Sequence, residues 1–299
     1  MVVLCLAWSL QQVALKATAP DVATSLQIAI RCGVAVLLVA LSMRLRGERL
    51  VRDRALAVPL FLVSALFALE FLFIAEGLRY TTASHMTVFL YTAPLFAAIG
   101  LHATLPGERL TALQWAGIGC AFAGIVVAFL GRDGGATASA PNMPLGDLLG
   151  LLAGAAWGAT TVLIRKTRIA ALPATQTLLY QLLGAALLMF VEAAASGQMR
   201  FRPTSFAFAS IAFQAVVVTF ASYLTWFWLL RQYLASRLGV YSFLTPLFGI
   251  VFGAWLLAEP VDPGFLSGAT MVIVGILVVS GARRVQKALR RVATDRGTG

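Results

Sequence analysis

Apolar residues in this chain run on for about twenty positions at a time, and short polar gaps separate the runs. A helix needs about 20 apolar residues to cross a bilayer. Reading between the breaks gives ten candidate spans, at 2–16, 24–43, 56–78, 84–105, 111–131, 145–164, 174–195, 207–230, 237–258 and 263–282. Long continuous runs predict helices, since a membrane strand would be shorter and would alternate. The first run is short, because Gln11, Gln12 and Lys16 interrupt it. It implies either a helix half-buried in a polar interior or a start codon further upstream.

The pattern repeats itself. Leu78–Phe96 (LRYTTASHMTVFLYTAPLF) aligns without gaps on Leu230–Phe248 (LRQYLASRLGVYSFLTPLF). Leu78, Arg79, Ala83, Ser84, Val88 and Pro94 to Phe96 are all matched. With one residue of slack, Glu108, Gly117 and Gly124 meet Glu259, Gly268 and Gly275, and Trp8 faintly echoes in Trp157. The shift is half the chain, so each half holds five spans. Because five is odd, the second copy enters from the opposite side, as in an inverted-topology repeat. The predicted fold is an all-α membrane protein of ten transmembrane helices arranged as two inverted five-helix repeats. The first repeat covers 1–131, a Gly/Ala/Pro-rich linker on the outer side 132–144, the second repeat 145–282 and a basic tail 283–299.

Composition supports a bilayer as the solvent. Hydrophobic residues make up 60% and charged residues 12%, against about 45–50% and about 25% in soluble proteins. The net charge of +11 sits in gaps between apolar runs, unlike the gathered basic face of a nucleic-acid binder, so no nucleic-acid partner is expected. With both termini cytoplasmic, the inner loops carry 17 basic residues and the outer loops 5, the bias of the positive-inside rule. A multi-pass inner-membrane protein follows. Cys5, Cys32 and Cys120 lie singly within apolar runs, which supports neither a disulfide framework nor a zinc site. No metal or cofactor is expected.

Some features read as architecture. Gly117/Gly124 and Gly268/Gly275 put small residues two turns apart on one face, which permits close helix packing in lipid. Spans five and ten are therefore scaffold or dimer surfaces, and the chain is a monomer or a homodimer. Thr111 with Gln114 predicts a capping box, and Asp262–Pro263 a capped helix start. Pro94, matched by Pro246, predicts a kink in spans four and nine.

With these residues in view, the sequence resembles the drug/metabolite transporter superfamily in its ten-span, EamA-type branch. The resemblance rests on RYTTAS, TAPLF and GERL in the first half, on ASRLGVYSFLTPLFG and LAEP in the second, and on Trp8–Ser9 and Trp157–Gly158 near the repeat starts. It implies export or exchange of small metabolites through a central cavity, with no ATP site and no catalytic residues. Exporters of amino acids, aromatic ones included, look nearest.

Ionisable groups at membrane depth are expensive and point to function. Glu70 lies deep in span three, placed to bind a substrate ammonium or a coupling proton, or to pair with a buried group such as Arg31. His85 opens span four and titrates in a useful range; proton coupling and passive facilitation are both left open. Glu76, Arg79, His102 and Glu192 lie nearer span ends and read as interfacial. Among aromatics within spans, Tyr91, Trp157, Tyr223 and Trp226 are candidates for a cavity wall, Tyr223 and Trp226 sharing one helical face. The substrate-binding set is thus Glu70, His85, Tyr91, Trp157, Tyr223 and Trp226, with membrane lipids and a small molecule as partners. Two other functions compete: a lipid or drug flippase of the same fold, and an integral-membrane lipid-modifying enzyme. The enzyme is disfavoured by the lack of clustered nucleophiles, bases or metal ligands.

Overall fold

The computed structural model describes residues 1–51, 53–106, 109–130, 140–232 and 244–296. Over these the chain is helical: α1 (Val2–Thr18), α2 (Thr24–Leu45), α3 (Ala57–Gly77), α4 (Ala83–Leu90), α5 (Ala93–Thr104), α6 (Ala112–Leu130) and α7 (Met143–Lys166). Then follow α8 (Ala174–Ala195), α9 (Ser205–Ala212), a π-helical stretch (Phe213–Ser222), α10 (Tyr223–Gln232), α11 (Leu244–Leu257) and α12 (Pro263–Arg296). Six stretches are long and apolar enough to cross a membrane, and four shorter apolar helices occupy the remaining predicted runs. The expected start of span nine, 237–243, and Glu108 lie outside the described residues.

The turns gather at two ends. At one, Val22 bridges Phe201, Arg202 N–H donates to the Asp21 carbonyl at 2.9 Å, and Asn142 N–H donates to Tyr80 at 3.3 Å. At the other, the Gln176 amide exchanges two hydrogen bonds with the Val51 backbone, and Thr175 Oγ1 donates to Glu48 at 2.6 Å. These are the Lys16 end and the Arg49 end of the bundle. Helix α1 runs toward the Lys16 end, whereas α7, its counterpart, starts there.

The inverted repeat is visible in the packing. Exchange α1 with α7, α2 with α8, α3 with the α9–α10 span, α4–α5 with α11, and α6 with α12. The α2/α8, α4/α11 and α6/α12 contacts then map onto themselves. The α3/α7 contact becomes that of α1 with the π stretch, α3/α8 that of the π stretch with α2, and α4/α7 that of α11 with α1. A pseudo-twofold axis produces such a closed set. At the α6/α12 seam Gly117 lies against Gly275 and Gly124 against Gly268, where a Cβ on Gly124 would stand 2.6 Å from the Gly268 carbonyl. The glycine faces of spans five and ten thus pack on each other within the chain.

Both predicted caps are formed. Thr111 N–H donates to Gln114 Oε1 at 3.0 Å while Gln114 N–H donates to Thr111 Oγ1 at 3.4 Å. Asp262 Oδ1 accepts from Phe265 N–H at 2.7 Å at the start of α12. Pro94 splits span four: its ring displaces the Leu90 carbonyl and it offers no N–H, so α4 stops at Leu90 and α5 restarts at Ala93. The polar side of α1 is buried, with Ser9, Gln11, Gln12 and Thr18 all shielded. That is the first of the two readings allowed by its short apolar run.

Candidate functional site

Two opposite charges lie inside the bundle. Arg31 on α2 is 1% exposed and Glu70 on α3 is 7% exposed. Helix α2 starts and α3 ends at the Lys16 end, which puts both residues about 10 Å below it at a rise of about 1.5 Å per residue. Among the described residues they form no ion pair within 4.0 Å. All three Arg31 nitrogens and Glu70 Oε2 lack hydrogen-bond partners. The guanidinium sits over the Phe71 ring, 4.6 Å from its centroid. That cation–π contact offsets only part of its desolvation. The direct Arg31–Glu70 pairing that the sequence allowed is therefore not made.

Aromatic residues surround this depth. Tyr91, at the break in span four, meets Trp157 of α7 edge-on at 5.4 Å. Tyr91, Trp157, Phe71 and Tyr223 belong to one apolar cluster. Trp226 packs edge-on against Trp8 of α1 at 5.7 Å, and Trp8 Nε1 donates to Ser222 Oγ at 2.8 Å. The π stretch immediately precedes Tyr223. Its wide turn appears in the bond from Thr219 Oγ1 to the carbonyl five residues back, Gln214, at 2.8 Å.

The approach of α7 to the break depends on glycine. Gly146, Gly150, Gly154 and Gly158 are four apart; Gly146 faces Thr81 and the end of α3, and the other three face the span-four segment. A Cβ on Gly154 would stand 2.7 Å from Thr92 Oγ1, 2.9 Å from the Phe89 carbonyl and 3.0 Å from the Leu90 carbonyl. This small-residue stripe brings Trp157 to Tyr91.

His85 lies apart from that cluster, in the first turn of α4 at the Lys16 end. Its Nδ1 is 2.9 Å from Asp147 Oδ2, and its ring stacks on Phe265 at 3.7 Å. Asp147 also accepts from Thr81 Oγ1 at 2.5 Å. Beside this pair, Glu259 caps α4: its carboxylate accepts from Ala83 N–H at 2.6 Å, Ser84 N–H at 3.0 Å and Ser84 Oγ at 2.6 Å. Lys16 Nζ donates to the Leu78 and Thr81 carbonyls at 2.5 and 2.7 Å. Together these contacts tie α1, α4, α7 and the α11–α12 turn at one end. Sequence reading missed Asp147 and Glu259 as site residues; the repeated Ala-Ser and Glu positions were the available signal.

The interfacial candidates make local contacts. Glu76 pairs with Arg79 at 2.7 Å, Gln198 Nε2 donates to both Glu76 and Glu192, and His102 Nδ1 accepts from Leu110 N–H at 2.9 Å. On the outer face, α3 and α8 enclose a lateral groove of about 840 Å³ that starts at Val51 and Asp53.

A helical bundle of two inverted repeats is an architecture of membrane transport proteins. Residues 1–130 and 144–281 each match the EamA-like transporter family. The chain belongs to that family and is a membrane-embedded transporter. It is similar to the uncharacterized transporter YoaV of Bacillus subtilis, with 22% identity over 91% of this chain and 92% of that one. It is also similar to the uncharacterized transporter YvbV of the same organism, with 26% identity over 77% and 74%. An uncharacterized transporter of Archaeoglobus fulgidus is 26% identical over 73% and 72%. A solved crystal structure shares the fold at a TM-score of 0.66 and 21% identity, covering 94% of this chain and 96% of that one.

Proposed function

We propose that this protein is an inner-membrane secondary transporter that exports small amphiphilic metabolites, amino acids with apolar or aromatic side chains, by alternating access between its repeats. The observation that carries this reading is the Arg31–Glu70 relationship. A guanidinium and a carboxylate at one depth, both buried and neither satisfied, cost stability. A zwitterionic amino acid supplies what each lacks, a carboxylate for Arg31 and an ammonium for Glu70. Tyr91, Trp157, Tyr223 and Trp226 offer its side chain an aromatic wall, while His85 is held by Asp147 at the Lys16 end. Both charges are shielded in this conformation, so substrate reaches them only when helices part. The Glu259 clasp holds the start of α4 at the Lys16 end. Proton coupling, if it operates, has Glu70 as its site.

A test is ligand-induced stabilisation of the purified protein. Aromatic and branched amino acids are expected to raise its melting temperature saturably, whereas their amides and N-acetyl derivatives, each lacking one charge, are not. Equal shifts with all three forms would contradict the zwitterion reading. A flippase of the same fold needs a lateral path through both leaflets. The α3/α8 groove covers only a little over half the bilayer.

A further inference from the structure

The α3/α8 groove has a shape, a length and a charged end that together specify an occupant. Its floor is made of small residues, Ser64, Ala65, Ala68 and Gly184, where a Cβ on Gly184 would meet Ser64 Cβ at 2.8 Å. Large apolar side chains, among them Phe61 and Leu187 at 71% and 61% exposure, form the walls. The helices run in the same direction here: Val51 meets Gln176 near both starts, and Glu76 meets Gln198 near both ends. The lining runs from Ala57 to Leu69 on α3 and from Tyr180 to Val191 on α8. Either stretch is about 17 Å long at the helical rise. The hydrocarbon core is about 30 Å thick, so the groove serves the lipids of one leaflet, the leaflet at the Arg49 end.

That end is strongly basic. Arg44, Arg46, Arg49 and Arg54 are exposed on the segment that leads into the groove. The end of α7 and the turn after it carry Arg165, Lys166 and Arg168, and Ile169 of that turn packs against Leu56, just before α3, and Leu60 in its first turn. Two carboxylates share this segment, Glu48, which accepts from Thr175 Oγ1, and Asp53, whose Oδ1 accepts from Ala55 N–H at 2.9 Å; the four arginines outnumber them and leave it net basic. An apolar channel one leaflet long that ends under a cationic rim fits an anionic glycerophospholipid, chains in the groove and phosphate on the arginines.

We propose that this groove is a specific binding site for an anionic glycerophospholipid of the leaflet at the Arg49 end. The site does not depend on the transported substrate, although Leu69 in its wall adjoins Glu70. Its test uses the delipidated full-length protein titrated with phosphatidylglycerol or with phosphatidylcholine of identical chains, the bound lipid being counted by native mass spectrometry. Phosphatidylglycerol is expected to bind more tightly. Replacing Arg49 and Arg54 with Gln lowers its affinity about thirtyfold, at the usual contribution of a basic residue near an anionic lipid surface, and leaves phosphatidylcholine unchanged. Ala65→Trp, which fills the floor, lowers both. Equal affinity for the two lipids, or phosphatidylglycerol binding that the arginine pair does not alter, overturns the proposal. The arginines lie on an exposed segment, so that arm holds even if Ala65→Trp fails to fold.

Discussion

Gly154 of α7 lies directly on the break in span four, with the Phe89 oxygen 2.9 Å from where its Cβ would be. A side chain there would also meet Thr92 Oγ1 at 2.7 Å and the Leu90 carbonyl at 3.0 Å, and the two carbonyls are backbone that yields little. Gly154→Val is therefore expected to cost about 1–3 kcal/mol by overpacking. The apparent melting temperature in detergent should fall, and the Tyr91–Trp157 contact should loosen. Gly119, with open space around it, is the control: Gly119→Ala should leave the melting temperature unchanged or higher.

The Glu259 clasp reaches α4 from a turn in which Ala258 adopts φ 52°. A left-handed alanine is strained by about 1 kcal/mol, and glycine is not. Ala258→Gly is thus expected to raise stability slightly without loosening the clasp. Glu259→Ala removes the acceptor of two backbone N–H groups and a hydroxyl and should cost about 1–3 kcal/mol. It should also expose the start of α4, which hydrogen exchange at Ala83 and Ser84 would detect.

Arg31 and Glu70 should separate stability from function. Replacing both members of a buried set of opposite charges with apolar residues of similar volume is often neutral or stabilising by about 1–4 kcal/mol, whereas removing one leaves the other uncompensated. The double variant Arg31→Met with Glu70→Leu is therefore expected to hold or raise the melting temperature and abolish ligand-induced stabilisation. A clear fall in the melting temperature of the double variant would show that the two groups are structurally satisfied.

Orientation has its own test. Loops with 17 basic residues should face the cytoplasm and those with 5 the outside. A cysteine at Gln198 should react with an impermeant thiol reagent in intact cells. One at Arg46 should react only after permeabilisation.

Much of this fold was legible because membrane physics leaves few options. The ten apolar runs became ten helical stretches, Pro94 broke span four where its missing N–H demanded it, and the caps at Thr111 and Asp262 formed as local chemistry dictates. The two glycine pairs revealed close packing, but only the structure shows that they face each other. The stripe at Gly146, Gly150, Gly154 and Gly158 was equally visible and was passed over, since its meaning lies in the carbonyls opposite. Glu259 and Asp147 were harder. Each acts on residues from the other repeat, and no local spacing announces a partner so distant in sequence. Arg31 and Glu70 stood out as buried charges, but their failure to pair is a matter of tertiary distance.

The most direct test of the account is counterflow into proteoliposomes preloaded with unlabelled amino acid. Saturable uptake of labelled phenylalanine or leucine is expected for the natural protein, with loss of uptake in both Arg31→Met and Glu70→Gln although each remains folded. Uptake that persists unchanged in both variants, or no saturable flux of any amino acid, would contradict the claim that these two charges hold the substrate.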